Sequence, residues 1–341
     1  MDVSVRGAGI LGLSIAWRCV QAGALVEVVD PNGLATGASG GIVGALSPHV
    51  PENWNDKKQF QLDSLLMAES FWSEVAEAGG ADPGYARFGR VQPVPESGLD
   101  LAQQRATGAK DLWVGKATWE VTQDACGWGV PSPSGQFIFD TLSAHIHPRK
   151  ACEALAAALT AKGVQVVGEP TALGNNVVWA TGVRGLEALN ETAKRPMGQG
   201  IKGQAALLNL DRAGLPQLFA DTLHIIPHLD GTVAIGSTTE REFDDPTQTD
   251  ALLDDVLTRA FQAVPELRTA KVIQRWAGLR PRARSRAPML GRWPDRPSHF
   301  IANGGFKIGL GMAPKIAEVM TQLLLENVDN IPPSFRVEAS L

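Results

Sequence analysis

Three glycines near the start of the chain have the spacing of a turn that binds a dinucleotide. Gly7, Gly9 and Gly12 form the pattern GxGxxG. In such a turn the first glycine permits a tight bend, the second lets the backbone approach a pyrophosphate, and the third lets a helix pack closely on a strand. The N-terminus of that helix offers free N–H groups and a partial positive charge to the phosphates. Asp30 lies eighteen residues after Gly12, where a carboxylate accepts hydrogen bonds from ribose hydroxyls. The predicted binding residues here are Gly7, Ala8, Gly9, Ile10, Leu11, Gly12, Asp30 and Pro31.

The segments around these glycines have the patterns of a strand, a helix and a second strand. Residues 3–6 and 25–29 are short strand-like segments, and residues 10–22 are typical of a buried helix. Residues 33–44 are rich in Gly, Ala and Ser, which disfavours regular structure, so they predict a functional loop. The glycine pattern alone serves NAD and FAD equally. A plain NAD-binding fold would continue with alternating strands and helices in place of this loop.

Further stretches spread over most of the chain contain motifs of one known family. They are the small-residue loop 37–48, His-Pro-Arg at 147–149, Val-Val-Trp-Ala-Thr-Gly at 177–182, Ile-Lys-Gly-Gln at 201–204, Trp-Ala-Gly-Leu-Arg-Pro at 276–281 with Ala-Pro-Met-Leu-Gly at 287–291, and Asn-Gly-Gly-Phe-Lys-Ile-Gly at 303–309. The chain therefore resembles the D-amino-acid oxidase/glycine oxidase family of FAD-dependent oxidoreductases, which includes sarcosine oxidases and amino-acid dehydrogenases. The resemblance implies that the dinucleotide is FAD.

The resemblance also implies which further residues contact the cofactor. They are Ala38, Ser39, Gly44, Ala45, Leu46, Val167, Ala180, Thr181, Gly182, Arg280, Gly304, Gly305, Phe306, Lys307, Ile308 and Gly309. The glycine turn 304–311 precedes a predicted helix, which we expect to begin after Met312. Its N–H groups and dipole would face the negative charge that a reduced flavin carries near N1 and the C2 carbonyl. Because no cysteine lies near this turn, we expect FAD to be held noncovalently.

Arg280 is the first candidate for binding a substrate, because the family's Leu-Arg-Pro arginine makes a two-pronged contact with a substrate carboxylate. A guanidinium matches a carboxylate bidentately and stays charged. Two positions depart from glycine oxidases, which have a second Arg where this chain has Lys307 and a Tyr where it has His224. Lys307 can hold a carboxylate as a point charge. His224 either donates to a carboxylate or sits in its strand as an ordinary residue.

Other histidines and arginines are weaker candidates. His49 follows the small-residue loop, but a lone histidine is more often structural. Arg282, Arg284 and Arg286 follow Arg280 at alternate positions and are typical of a solvated basic edge.

The order of these segments predicts an α/β fold. A Rossmann-like FAD-binding domain, formed by residues 1–82, 141–200 and 276–341, is interleaved with an α+β substrate domain. That second domain is built on a mostly antiparallel sheet and comprises residues 83–140 and 201–275. We expect short strands and turns over 83–140, strands at 203–210, 223–227 and 232–237, and helices at 60–78, 149–162 and 250–264.

Composition limits the other classes of function. The chain has 341 residues, 44% of them apolar and 20% charged, with a formal net charge of -5, so nothing indicates a nucleic-acid partner. The three cysteines are far apart and form no metal pattern, which favours a reducing compartment. Residues 7–24 are apolar but interrupted by glycines and Arg18, so we predict neither a signal peptide nor a membrane span. We expect a cytoplasmic protein, and the sequence leaves open whether it forms a homo-oligomer.

The predicted reaction removes a hydride from the amine-bearing carbon of a small amino acid or an N-substituted amino acid, giving an imine that hydrolyses. The electrons then pass to oxygen or to another acceptor. One alternative is a flavin dehydrogenase of a 2-hydroxy acid or other non-amino-acid substrate. Another is a non-catalytic flavoprotein subunit of an electron-transfer complex, and a plain NAD enzyme is more distant.

Overall fold

The computed structural model describes residues 2–171 and 175–341, in which seven α-helices and sixteen strands are assigned. The helices are α1 (Ile10–Gln21), α2 (Asp56–Gly79), α3 (Leu99–Leu112), α4 (Pro148–Ala161), α5 (Gly182–Thr192), α6 (Ala251–Ala263) and α7 (Gly309–Thr321). The strands are β1 (Val3–Arg6), β2 (Val26–Val29), β3 (Ala45–Leu46), β4 (Arg90–Pro93), β5 (Trp119–Thr122), β6 (Phe137–Asp140), β7 (Ala144–His145), β8 (Val166–Val167), β9 (Asn176–Trp179), β10 (Gly198–Asn209), β11 (Gln217–Ala220), β12 (Leu223–Pro227), β13 (Thr232–Gly236), β14 (Lys271–Ala283), β15 (Met289–Arg292) and β16 (His299–Asn303).

The first sheet has the order β15-β16-β9-β1-β2-β8 and is parallel except for its edge strand β15. Its central strands β1, β2 and β9 are rich in Val, as expected for strands that are covered on both faces. The carboxyl ends of β1, β2, β9 and β16 lie along one edge. That edge therefore brings together segments that are far apart in sequence, each of which follows one of these strands.

Helix α1 packs on this sheet against β1, β2 and β16, and α2, α4 and α7 form a helical cluster with it. The pairs α1–α7, α2–α7, α2–α4 and α1–α4 are in contact, and a core with Trp17, Phe71 and Trp72, each no more than 2% exposed, fills the space between them and the strands. The long helix α2 begins at Asn55, whose side chain accepts a hydrogen bond from the Lys58 N–H (3.1 Å). It ends where Gly80 adopts a left-handed conformation (φ 66°).

The second sheet has the order β14-β10-β13-β12-β11-β4-β6-β5 and is antiparallel except where β11 pairs with β4. Helix α6 contacts β10 and β13 and buries Leu253, Val256 and Leu257 in a separate apolar core. Residues of the loop after β2 pack on this sheet as well: Ile42 and Val43 contact a cluster formed with Ala205 and Ile226. The loop consequently lies between the two sheets.

The predicted α/β class, with a Rossmann-like sheet and a mostly antiparallel second sheet, is confirmed. Some elements differ from the expectation. Helix α3 interrupts the stretch 83–140, which we expected to contain only strands and turns, and helix α5 was not predicted. The last helix begins at Gly309 and not after Met312, and it contains Pro314. The Val-Val-Trp-Ala-Thr-Gly motif at 177–182 is divided between β9, which ends at Trp179, and the start of α5 at Gly182.

The domain division stays a prediction, and two of its boundaries, at 200/201 and 275/276, fall inside β10 and β14. None of the helices in the described ranges combines the length and apolar character that a bilayer crossing requires.

Candidate active site

A cavity of about 1650 Å³ lies between the carboxyl edge of the first sheet and one face of the second. Pockets for a single small ligand are typically about 300–1,000 Å³, so this cavity has room for a dinucleotide and a small substrate together. Of the predicted residues, those that line it are Gly7, Gly9, Ile10, Leu11, Asp30, Pro31, Ala38, Ser39, Ala45, Ala180, Thr181, Gly182, His224, Arg280, Gly305, Phe306, Lys307, Ile308 and Gly309.

The glycine turn between β1 and α1 fits a pyrophosphate. Gly7 has φ 111°, and a Cβ on Gly12 would overlap the carbonyl oxygen of Gly7, so both glycines are needed for the turn and the helix to pack closely. A Cβ on Gly9 would meet only the side chain of Ser39, at 3.1 Å from its Oγ, and otherwise projects into the cavity. Helix α1 has no side-chain cap at Gly9, so the first N–H groups beyond Ile10 are available to an anion.

Asp30, the residue that follows β2, is hydrogen-bonded to this turn. Its Oδ2 accepts a hydrogen bond from the Ala8 N–H (2.9 Å), and its Oδ1 accepts one from the Asn32 N–H (3.0 Å). The carboxylate is held beside the turn and lines the cavity, which suits a ribose hydroxyl donor.

The closing segment provides a second site for negative charge at the other end of the cavity. Phe306 has φ 44°, and its N–H donates to the carbonyl oxygen of Pro281 (2.9 Å), which fastens the turn to β14. Helix α7 starts at Gly309 without a side-chain cap, so its first N–H groups lack an intrahelical partner. Because Gly309, Leu310 and Gly311 line the cavity, these N–H groups and the helix dipole suit the anionic end of a flavin ring.

The remaining predicted cofactor residues lie behind the cavity wall. Ala8 and Gly12 support the turn as described, and Leu46 is buried in the helical core. A Cβ on Gly44 would overlap the carbonyl oxygen of Ile146, so this glycine permits close packing of the loop. Val167 accepts the Asp30 N–H through its carbonyl oxygen (2.9 Å), and Gly304 packs against Ala283 with φ 72°.

Arg280 projects from β14 into the cavity. Its Nη2 donates to Ser237 Oγ (2.7 Å) and its Nη1 to the Thr238 carbonyl oxygen (3.2 Å), both at the end of β13. Burial lowers its pKa to about 10, which leaves the guanidinium charged at neutral pH. Among the described residues it forms no ion pair, so its charge is available to an anion.

Lys307 and His224 lie near Arg280. The Lys307 ammonium is 5.8 Å from the ring centre of Phe306, and burial together with the charge of Arg280 lowers its pKa. Burial also lowers the pKa of His224 to about 3, with the positive charges of Arg90, Lys307 and Arg280 adding to the effect. His224 is therefore neutral at physiological pH. Its Nδ1 is buried and has no partner among the described residues.

The weaker candidates lie outside the cavity. His49 contacts Gln61, which accepts its N–H (2.7 Å), and burial lowers the pKa of its ring. The Arg282 guanidinium lies 5.5 Å from the ring centre of Phe306, and none of Arg282, Arg284 and Arg286 is among the lining residues.

Sequence reasoning missed several lining residues, among them Ser47, Gln61, Phe219, Ser237 and Trp276. Ser47 and Trp276 were part of recognised motifs, but Gln61, Phe219 and Ser237 carry no local signal. Ser237 contacts Arg280 across 43 residues of sequence, so only the fold reveals it.

The site therefore combines a glycine turn with its acid, a helix N-terminus at the far end, and an arginine that forms no ion pair among the described residues, an arrangement that suits a flavin oxidoreductase. The described residues contain no group of three His, Cys, Asp or Glu side chains that could hold a metal ion.

Comparison with known proteins identifies the family. The family model for FAD dependent oxidoreductases matches residues 2–323, and the chain belongs to this family and uses FAD as its cofactor. It is 27% identical over 372 residues to a glycine oxidase of Pseudomonas aeruginosa, and the match covers 97% of each of the two chains. In structure it is similar to iminodiacetate oxidase from Chelativorans sp. BNC1 (TM-score 0.85, 20% identity, 98% of each chain). It is also similar to glycine oxidase from Geobacillus kaustophilus (TM-score 0.83, 20% identity, 98% of each chain).

Proposed function

We propose that this protein oxidises the amine-bearing carbon of a small amino acid or an N-substituted amino acid, with Arg280 binding the substrate carboxylate. The observation that carries the proposal is the buried guanidinium of Arg280, which faces the cavity without an ion-pair partner among the described residues. A buried charge of this kind is costly unless an anion pairs with it, so a carboxylate ligand is its natural complement. The glycine oxidase names of the relatives support the amino-acid class.

Lys307 adds a second positive charge, and His224 a neutral polar group, at the same end of the cavity. We assign Lys307 to the substrate carboxylate as a point charge, in the role that an arginine has in glycine oxidases. We assign the unpartnered Nδ1 of neutral His224 to a hydrogen bond with the substrate. These two roles remain predictions.

The charges around the cavity favour a substrate amine that binds in its neutral form. The carboxylates among the described lining residues are Asp30, Glu169 and Glu187, which follow β2, follow β8 and lie on α5 respectively. They are on the nucleotide side, so an ammonium beside Arg280 and Lys307 would meet two positive charges and none of the carboxylates that line the cavity in the described residues. A neutral amine leaves its lone pair free to assist loss of the hydride.

The protein's part in the reaction is to bind, orient and exclude water. When bound, FAD supplies the hydride acceptor, and the imine product hydrolyses in water. Arg280 fixes the carboxylate and so orients the reacting carbon, while the apolar rings of Phe219 and Trp276 restrict the access of water. No general base is required when the amine is already neutral.

Replacing Arg280 tests this function. Arg280→Ala is expected to raise KM for amino acids about 100-fold, since it removes two charge-assisted hydrogen bonds worth about 1.5 kcal/mol each. FAD content should stay unchanged. Arg275→Ala is the matched control, because Arg275 lies on the same strand in an exposed pair with Asp254 and should change KM by less than about twofold. An unchanged KM in Arg280→Ala would refute the proposed carboxylate site.

The cytoplasm as the compartment, the electron acceptor and the oligomeric state stay predictions. Cys19, Cys126 and Cys152 are all free thiols, which is compatible with a reducing compartment. Assaying oxygen consumption against reduction of an artificial acceptor distinguishes an oxidase from a dehydrogenase.

A further inference from the structure

The guanidinium of Arg280 crosses a neighbouring strand at a glycine. Arg280 is opposite Ile201 in the pairing of β14 with β10, and its side chain reaches diagonally to Gly203. A Cβ on Gly203 would overlap the Nη1, Nη2 and Cζ atoms of Arg280. Gly203 has a backbone conformation that any residue can adopt. A glycine is therefore needed at this position to leave room for the guanidinium, and not to permit a positive φ. The guanidinium can approach β10 this closely only because residue 203 has no side chain.

Beyond β10, the guanidinium is held by the residues that follow β13. Ser237 Oγ and the Thr238 carbonyl oxygen accept hydrogen bonds from its two terminal nitrogens, at 2.7 Å and 3.2 Å. A guanidinium has five N–H groups in a fixed plane, so these two bonds fix its rotation about the side chain. The remaining N–H groups are left for a ligand, and the plane in which they lie is set by the protein.

A partly buried network of hydrogen bonds and ion pairs keeps this pair of acceptors in place. Thr238 Oγ1 accepts from the Gln204 N–H (2.8 Å) and donates to Glu240, whose carboxylate also accepts from Gln204 Nε2 (3.1 Å). Gln204 Nε2 reaches Asp250 as well (2.8 Å). Lys202, only 2% exposed, contacts Asp250 at 3.0 Å and Glu240 at 3.7 Å.

The network has one negative charge more than it has positive charges. Glu240 and Asp250 carry two negative charges and Lys202 carries one positive charge. Neither carboxylate lines the cavity, and Glu240 opposes the lowering of the Arg280 pKa by burial. The guanidinium therefore remains charged without any acid in the cavity that would compete with a substrate carboxylate.

We propose that Gly203 and Ser237 are positioning residues that determine the specificity for carboxylate substrates, because they hold the Arg280 guanidinium against β10 with its free N–H groups toward the cavity. This inference rests on the proposed function, in which Arg280 binds a carboxylate. A side chain at residue 203 removes the carboxylate site while leaving the glycine turn that holds the dinucleotide untouched. Loss of the Ser237 hydroxyl frees the guanidinium to rotate and weakens the same site to a smaller extent.

Binding of a small carboxylate to the FAD-loaded protein tests the inference without turnover. Propionate is titrated against the visible absorption spectrum of the flavin, and uncharged propionamide serves as the ligand control. The variants are Gly203→Ala, Ser237→Ala and Ser237→Thr. Gly200→Ala is the matched protein control, because it lies on the same strand and a Cβ there would meet only the side-chain ends of Leu279 and Val183, at 3.1 Å.

We expect the Kd for propionate to rise at least tenfold in Gly203→Ala and about fivefold in Ser237→Ala. Ser237→Thr should restore it to within about twofold, since threonine keeps the hydroxyl. Gly200→Ala should bind propionate normally, and none of the variants should differ in affinity for propionamide. In an Arg280→Ala background, Gly203→Ala should add less than about twofold, because the group that it displaces is already absent.

Each failure has a distinct meaning. If the unsubstituted protein does not bind propionate at all, both the proposed carboxylate site and this inference are refuted. If it binds propionate and both Gly203→Ala and Ser237→Ala bind equally well, only the positioning role is overturned. Should Gly203→Ala fail to fold, the Ser237→Ala and Ser237→Thr pair decides: equal affinity in the two variants overturns the inference, and rescue by threonine supports it.

Discussion

Gly9→Ala separates cofactor binding from folding. The added Cβ would project into the cavity, where Ser39 Oγ at 3.1 Å is its only close neighbour. Gly9 has φ -93° and ψ -178°, an extended conformation that alanine adopts without strain. The apoprotein should consequently fold with nearly unchanged stability, or gain about 0.4–1 kcal/mol because alanine restricts the unfolded chain.

The same Cβ would occupy the space through which a pyrophosphate approaches the N-terminus of α1. Displacing the phosphates from the first N–H groups of the helix weakens at least two charge-assisted hydrogen bonds, each worth about 1.5 kcal/mol. We therefore expect the Kd for FAD to rise about 100-fold. Titration of the apoprotein with FAD, followed by flavin fluorescence, measures this change, and urea unfolding of the apoprotein measures stability.

Gly23→Ala is the control, because it is expected to change stability and not the affinity for FAD. Gly23 lies just beyond the other end of α1 with φ 84°, and no atom lies within 4 Å of its added Cβ. Alanine in this left-handed conformation should cost about 1 kcal/mol of stability and leave the affinity for FAD unchanged. If Gly9→Ala binds FAD as tightly as the unsubstituted protein, the turn is not the pyrophosphate site and the reasoning fails.

Three further predictions concern the cofactor acid, acid stability and substrate protonation. Asp30→Asn should raise the Kd for FAD about tenfold, since the amide weakens the bond from the Ala8 N–H and the contact with the ribose; an unchanged Kd would exclude Asp30 from the site. Burial lowers the pKa of fully buried His145 to about 4, so the unfolded chain binds more protons between about pH 6.5 and 4, and stability falls as pH falls through that window. His145→Phe should reduce this slope by up to about 1.4 kcal/mol per pH unit in urea unfolding, and an equally steep slope would contradict the assignment. Finally, kcat/KM for an amino acid should fall about tenfold per pH unit below the pKa of the free substrate's ammonium group, and a pH-independent value would exclude binding of the neutral amine.

The cofactor end of the site was predictable because its chemistry is local in sequence. The glycine turn, the first helix and Asp30 occupy the first thirty residues, and each of them follows or forms a regular element. The closing turn at Gly304–Gly309 was recognised from its motif, although the start of its helix was placed too late. We assigned the glycines up to Gly311 to the turn, but Gly309 and Gly311 are buried in the first turns of the helix, and tertiary packing there outweighs their low helix propensity.

The elements that were missed have weak apolar patterns. Helix α3 buries only Ala102, Ala106 and Ala109, so no large apolar residues recur at helical spacing. Helix α5 starts at a glycine and buries only Leu186 and Leu189. The support of Arg280 could not be predicted, because it joins three strands that are adjacent only in the folded sheet. Propensity and motif indicate the groups that carry the chemistry, whereas the groups that orient them are found only in the structure.

The most direct test of the central claim, that this protein is an FAD enzyme that oxidises a small amino acid or N-substituted amino acid, is the visible absorption spectrum of the purified protein during anaerobic titration. Small amino acids, N-methyl amino acids and 2-hydroxy acids are added in turn. We predict the spectrum of an oxidised flavin that releases FAD on denaturation and is bleached by at least one amine-bearing carboxylate. A colourless protein, or a flavin that is bleached by a 2-hydroxy acid and by none of the amines, would contradict the account.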